Sequence, residues 1–286
     1  MVIQLVRAEP HQVSELGRIC FEAFKDVEER HHLISGFPTI AEARNVIDIL
    51  VQREDWYSVA ALIDGKLVGS NFLSLTNSVA GVGPLSVDLS FQGRGIGRAL
   101  MADVIEYARR NNIERIRLQQ EACDTRSLSL YASLGFEVKA PVALMQATPA
   151  VKVDSSVRPV TPTDLSAIEE LSIRIYKTNR RNEVATATRF GLSPLLREHQ
   201  GRITGYVMLG LTGHGVAETQ TDALTLIGEA ARRLLPDATF FLCPLSEASL
   251  YRKALKAGHR AIKVHNLMTL GPYEPPDEVW LPSIQY

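Results

Sequence analysis

Three glycines at every second position, Gly93, Gly95 and Gly97, with Arg94 and Arg98 set among them, are the residues of this 286-residue chain best suited to chemistry. Before them Leu85, Val87 and Leu89 share one face at period two, the pattern of a strand. After them Leu100, Met101, Val104, Ile105 and Ala108 recur at helical spacing, up to a stop at Asn111-Asn112. A glycine-rich turn from strand to helix is an anion site. The first amides of a helix have no internal partner and carry the positive end of its dipole, and glycine lets a ligand come close to them. Arg94 and Arg98 add formal charge suited to a pyrophosphate. Two phosphate-binding patterns fail: no Gly-Lys-Ser/Thr follows, and the third glycine of Gly-x-Gly-x-x-Gly is replaced by Arg98 or Leu100, depending on the starting glycine.

What remains is Gln92-x-x-Gly95-x-Gly97, with Val87 five residues before the glutamine. This arrangement resembles the acyl-CoA pyrophosphate loop of the GNAT superfamily of N-acetyltransferases. The resemblance runs in order over roughly residues 3–146. It includes hairpin signals at 56–76, a strand at 113–120, and Leu130-Tyr131-Ala132-Ser133-Leu134-Gly135-Phe136. It implies acetyl-CoA as co-substrate and no metal, with the diphosphate held by Gln92, Gly93, Arg94, Gly95, Ile96, Gly97, Arg98 and Ala99. It further implies that the backbone N–H groups of Leu85 and Val87 hold the thioester carbonyl and pantetheine, an oxyanion-type contact. Asp124 stands seven residues before Tyr131, where the family often has Asn. Tyr131, four residues before Gly135, matches the family's general acid.

A thiol with a pKa near ~8.5 is a modest leaving group, and a phenol near ~10 can protonate it at neutral pH. An alkylamine with a pKa near ~10.4 is neutral in only about one molecule in 10³ at pH 7, so a base is useful. The candidates are Glu22, Glu28, Glu29, His31, Asp88 and Glu121; Glu121, ending a strand near the loop, ranks first. Each assignment has a plainer rival. The Leu85 and Val87 amides could serve sheet pairing, Tyr131 could pack on Phe136, Asp88 could cap the turn, and charges at 28–32 could form a solvated face. Adjacent imidazoles such as His31-His32 point apart, and no carboxylate-His spacing supports a metal there.

The elements that must position these groups are legible. Ile3 and Leu5 open a strand, and Val13, Leu16, Ile19, Cys20, Ala23 and Phe24 form one apolar helical stripe. A second helix carries Ala43, Val46, Ile47 and Leu50. Runs at 56–63 and 66–75 join at Asp64-Gly65, a two-residue hairpin turn, and a third strand at about 82–89 leads into the glycines. At 113–120, Ile116 and Leu118 alternate with a wetter face of Arg115, Arg117 and Gln119. Gly135 has the position of a left-handed helix cap. The order predicts an α/β mixed sheet, mostly antiparallel, with helices on both faces.

Between Ala140 and Ser156 the Pro141 and Pro149 segment reads as a linker, and a second beginning follows. Val157-Arg158-Pro159 echoes Val6-Arg7-Ala8, and Leu165, Ile168, Leu171 and Tyr176 repeat Val13, Leu16, Ile19 and Phe24 with an offset of 152. The expectation is two tandem GNAT-like domains, 1–150 catalytic and 156–286 degenerate. The later copy has no Gln-x-x-Gly-x-Gly between strand and helix, and its Glu218 and Asp222 put negative charge there that helps a helix start and repels a diphosphate, so it is not expected to bind acyl-CoA. Tyr251 there reads as packing. Residues 271–276 are too proline-rich for regular structure and are expected as an extended arm, possible across the first domain.

The formal charge of −1 gives no field that draws nucleic acid or an anionic membrane. Three distant cysteines, Cys20, Cys123 and Cys243, lack metal-ligand spacing and fit a reducing compartment. No apolar run approaches the ~18 residues of a membrane span, and no signal-peptide pattern opens the chain, so a cytoplasmic monomer or homodimer is expected. The expected activity is acetyl transfer from acetyl-CoA to a primary amine of a small molecule, by direct attack in a ternary complex. The alternatives are a non-catalytic acyl-CoA-binding or regulatory module and an enzyme of longer acyl chains.

Overall fold

The computed structural model describes residues 2–286. Contacts divide the chain into two units: residues up to 137 with Thr269–Pro272, and Val138–Met268 with Tyr273–Tyr286. The division falls before the linker read in the sequence at 140–156.

The first unit opens with β1 (Gln4–Arg7) and α1 (Val13–Arg30), followed by α2 (Ile40–Gln52). The long hairpin β2 (Trp56–Ile63) and β3 (Lys66–Ser74) comes next, then β4 (Val79–Val82), β5 (Ser86–Val87), α3 (Ile96–Arg110), β6 (Arg115–Glu121) and α4 (Thr125–Ser133). The helix α1 runs past its apolar stripe to Arg30, helped by charged pairs one turn apart such as Arg30 with Asp26 at 2.8 Å. The β2–β3 turn places Asp64 and Gly65 at φ of 50° and 77°, as a tight hairpin requires. Strand order is β1-β2-β3-β4-β6, antiparallel except for the parallel β4–β6 pair. Leu16, Cys20, Ile47, Trp56, Ala60 and Phe72 form a core between α1, α2 and the sheet.

The third strand departs from the expected 82–89. It lies at Val79–Val82, bends at Gly83-Pro84, and resumes only as β5, so Leu89 falls in a 3-10 turn and is 43% exposed. Its register explains the opening. The β4–β6 pairing ends with Gly81 against Arg117, whereas β5 stays on β3 through Gly69 opposite Val87 and Ser70 opposite Ser86. Two strands that begin side by side therefore part, and a wedge opens beside β5.

The second unit contains β7 (Glu137–Gln146, from Val138 on), β8 (Val157–Pro159), α5 (Leu165–Tyr176), α6 (Arg181–Arg189), β9 (Leu195–His199), β10 (Arg202–Val207), β11 (Gly215–Ala217), α7 (Gln220–Ala231), β12 (Phe240–Pro244), α8 (Ala248–Lys256), most of β13 (Arg260–Leu270) and β14 (Val279–Leu281). The 152-residue offset holds down to the short turns, Pro10–Gln12 and Pro162–Asp164. Pro141 lies inside β7 and not in a linker; β12 pairs with Val142 to Gln146 beyond it, and the Pro141 carbonyl accepts from Leu245 N–H at 2.9 Å. Residues 271–276 are irregular as expected, but the chain then forms β14, which pairs with β11, so the tail from Tyr273 belongs to the second unit. Tyr251 packs against the second unit's core, as read from the sequence.

Candidate active site

The glycine turn caps α3 without a side chain. Gly95 is the N-cap residue, in the left-handed region at φ 83°, and the first helical bond runs from Ala99 N–H to the Gly95 carbonyl at 3.0 Å. The amides of Ile96, Gly97 and Arg98 precede that bond, so they lie at the positive end of the helix. A Cβ added at Gly93 or Gly95 would meet nothing within 4 Å, which leaves space over the turn. Gly97 is different: its Cβ would touch Leu130 Cδ2 at 3.4 Å, with Val87 and Leu85 behind. Gly97 thus lies within ordinary contact distance of α4 and the strand before the turn.

Side chains tie the turn to its neighbours. Gln92 donates from Nε2 to the Val87 carbonyl at 3.3 Å and accepts at Oε1 from Arg126 Nη1 at 3.2 Å. Arg98 donates to Ser133 Oγ at 2.6 Å, and Arg94 and Lys66 lie over the Phe91 ring at 5.2 and 5.1 Å. Lys66 and Arg126 were not singled out by sequence reasoning. Neither lies in the loop motif; only the hairpin and the start of α4 bring their charge to it.

Leu85 and Val87 lie on the wedge side of the strand. Asp88 N–H donates to the Val68 carbonyl at 2.9 Å, and bonding direction alternates along an antiparallel ladder. Ser86 and Asp88 therefore face β3, while the amides of Leu85 and Val87 turn away from it.

Asp124 acts as the N-cap of α4, accepting from Arg126 N–H at 3.2 Å, and its carbonyl accepts from Gln120 Nε2 at 2.8 Å. Tyr131 projects from α4, half-buried, with its ring 6.1 Å from Phe136. Burial, and then the Asp124 charge, push its phenol well above the ordinary value, so it holds its proton at neutral pH. Gly135 ends α4 at φ 95°.

Most candidate bases are otherwise engaged. Arg18 pairs with Glu22, with Glu15 at 2.7 Å, and with Asp88 at 3.2 Å. Burial alone would raise the Asp88 carboxyl, but bonds from Ser90 and Arg18 hold it below the ordinary value. Glu28 is buried and accepts from Gly36 N–H at 2.6 Å and Ser35 Oγ at 3.0 Å. Glu29 lies 3.6 Å from Lys25, and His31 is exposed at the end of α1. Glu121, half-buried, is the last residue of β6, beyond the point where β4 and β6 part. The strand's expected wetter face is drier than its charges suggested: Arg117 is 1% exposed, and the Gln119 amide is buried with no hydrogen-bond partner among the described residues.

The equivalent place in the second unit is closed. Thr219 caps α7 by accepting from Asp222 N–H at 3.1 Å, and Asp222 pairs with Arg197 at 2.6 Å. Glu218 is paired with Arg174 at 2.6 Å and with Arg202. The edge of β11, where the first unit has its wedge, is taken by β14. No group of three or more candidate metal ligands occurs among the described residues. Nor, among them, is any helix long and apolar enough to cross a membrane.

A splayed mixed sheet with a glycine turn at its central helix, followed by a second unit of the same element order, defines the class by fold: a tandem GNAT-like architecture. Comparison with known proteins agrees. The profile of the Acetyltransferase (GNAT) family matches residues 20–136. The mycothiol acetyltransferase of Propionibacterium freudenreichii subsp. shermanii is 32% identical over 117 residues, 38% of this chain and 36% of that protein. That of Beutenbergia cavernae is 35% identical over 82 residues, 28% and 27% of the two. The matched stretches thus span about a third of these relatives' length. Among solved structures, a Pyrococcus horikoshii protein assigned to the acetyltransferases superposes with a TM-score of 0.79 at 18% identity, covering 97% of this chain and 92% of that one. A tandem GNAT protein from the clavulanic acid biosynthesis pathway superposes at 0.59 with 14% identity, covering 96% and 100%. Residues 20–136 thus resemble the acetyltransferase (GNAT) family, and the chain as a whole shares the two-unit fold of these solved structures.

Proposed function

We propose that the first unit transfers an acetyl group from acetyl-CoA to a primary amine of a small molecule, by direct attack in a ternary complex. One observation carries the reading: the amides of Leu85 and Val87 turn into a wedge that ends beside the uncapped, glycine-lined start of α3. A diphosphate fits that turn, because Gly93 and Gly95 leave it uncovered and Arg94, Arg98, Lys66 and Arg126 surround it. In this reading Gln92, Ile96 and Ala99 complete the cradle, and Asp124 contributes by fixing the start of α4 next to it.

The extended acyl-pantetheine arm would run along the open edge of β5. The Leu85 and Val87 N–H groups would bond the arm and the thioester oxygen, where negative charge develops as the amine attacks. Collapse of the tetrahedral intermediate expels the CoA thiolate. Tyr131, kept protonated by burial and by the Asp124 charge, would give it a proton. Glu121, the last residue of β6 beyond the point where β4 and β6 part, would take the proton from the ammonium of the acceptor. The similarity to mycothiol acetyltransferases makes small molecules the acceptors to test first.

The test is release of free thiol from acetyl-CoA across a panel of small amines, with CoA binding measured in parallel by calorimetry. Turnover with at least one amine supports the reading. Tight CoA binding with no turnover on any amine makes the unit a binding module, and no CoA binding ends both.

A further inference from the structure

The second unit hides a polar cluster that the acetyl-transfer reading does not use. Arg180, between α5 and α6, is 0% exposed. Enclosing a guanidinium is costly unless every part of it is engaged. Glu183 pairs with one edge, at 2.5 and 2.9 Å. The other edge reaches the tail of the chain: Nη1 donates to the Tyr286 carbonyl oxygen at 3.0 Å and Nη2 to Ser283 Oγ at 3.3 Å. The ring of Tyr286 lies on the guanidinium face at 4.1 Å, and Tyr176 stands 5.3 Å away. Tyr286 itself is 1% exposed.

Around this clasp are polar groups that the clasp does not satisfy. The Tyr206 hydroxyl and both ring nitrogens of His214 are buried with no hydrogen-bond partner among the described residues. The two rings meet edge to face at 5.6 Å. A buried donor or acceptor left unpaired is destabilising, so a cluster that served packing alone would be better lined with apolar side chains. The arrangement has the parts of a ligand site: a guanidinium edge for two oxygens, an aromatic slot against its face, and spare polar groups beyond.

We propose that this cluster is a binding site for an aromatic carboxylate, which the chain's own segment 283–286 fills. A carboxylate would take the two N–H groups now given to Tyr286 and Ser283, and its ring would replace that of Tyr286 on Arg180. A tethered occupant competes at an effective concentration in the millimolar range, so free ligand binds the intact chain weakly. The inference does not depend on the acetyl-transfer reading.

The test uses the full chain and its Tyr286→Gly variant, titrated with 4-hydroxyphenylacetate by calorimetry and by thermal shift, with tyramine as the control lacking a carboxylate. The expected result is binding at least tenfold tighter in the variant, a rise in its melting temperature with the acid, and no response to tyramine. Tyr206→Phe added to Tyr286→Gly should weaken the acid several-fold. If Tyr286→Gly does not fold, Ser283→Ala, which removes one hydroxyl, should still bind the acid more tightly than the unaltered chain. Equal affinity in the altered and unaltered chains, or an equal response to tyramine, overturns the proposal.

Discussion

At the scale of single residues, Gly97 and Tyr131 separate binding from chemistry. A Cβ at Gly97 meets Leu130 at ordinary contact distance, so Gly97→Glu should fold. Its carboxylate lies at the start of α3, where it would repel a diphosphate. CoA affinity should fall by at least a hundredfold in calorimetry, with an unchanged circular dichroism spectrum. Tyr131→Phe removes only a hydroxyl and should lower turnover by about 10² to 10⁴, the usual contribution of a general acid, with CoA affinity unchanged. Parallel loss of affinity would assign Tyr131 to packing. Because burial and Asp124 raise this phenol, the alkaline fall in rate that it causes should lie above pH 10. A pH-rate profile with saturating amine checks this.

At the scale of elements, caps and strand edges decide what a helix end can bind. Thr219→Ala should lower stability by about 1 kcal/mol in urea unfolding, the usual cost of losing a cap, without creating CoA affinity, because β14 still fills the β11 edge. The start of α5 carries an acid-sensitive device. Arg158 holds the Asp164 carboxyl well below the ordinary range, assisted by Thr161. A carboxylate lowered in the folded state adds stability that is present above its unfolded pKa, near ~3.9, and is lost as pH falls through the lower folded value. Asp164→Asn should therefore destabilise the chain at pH 7 and make little difference at the most acidic pH where it still folds. Urea midpoints across that range test it. The helix-and-turn grammar was readable at this scale: the Asp64-Gly65 hairpin, the Gly135 cap and the 152-residue offset all have local causes. The break between β4 and β5 was not, since Leu85, Val87 and Leu89 alternate as an unbroken strand would.

At the scale of the whole molecule, two units of like order are unequal in what they can hold. Calorimetry should give one CoA per chain, and Gly97→Glu should abolish it entirely, since the second unit has no uncapped glycine turn to take over. Thiol reactivity should be uneven as well. Burial pushes Cys20 and Cys243 up to about 12, so both should react with a disulfide reagent only on unfolding, and half-buried Cys123 first. A fast phase of more than one thiol per chain would contradict the packing.

The sequence alone determined the glycine turn, its place between strand and helix, and the absence of that turn from the later copy, because these follow from residue types within one or two turns of chain. It also placed Tyr131 on a short helix and Glu121 at the end of a strand. Tertiary structure decided the rest. Which amides face the wedge depends on the ladder of β5 with β3, whose paired residues lie 16 and 18 positions earlier. That Glu22 and Asp88 are tied up depends on Arg18 reaching across to Asp88, 70 residues on. The tail forms a strand because the edge of β11 offers unpaired amides, which no local pattern in residues 271–286 reports. Local periodicity records which face of an element is apolar; it does not record what that face, or a strand's free edge, will meet.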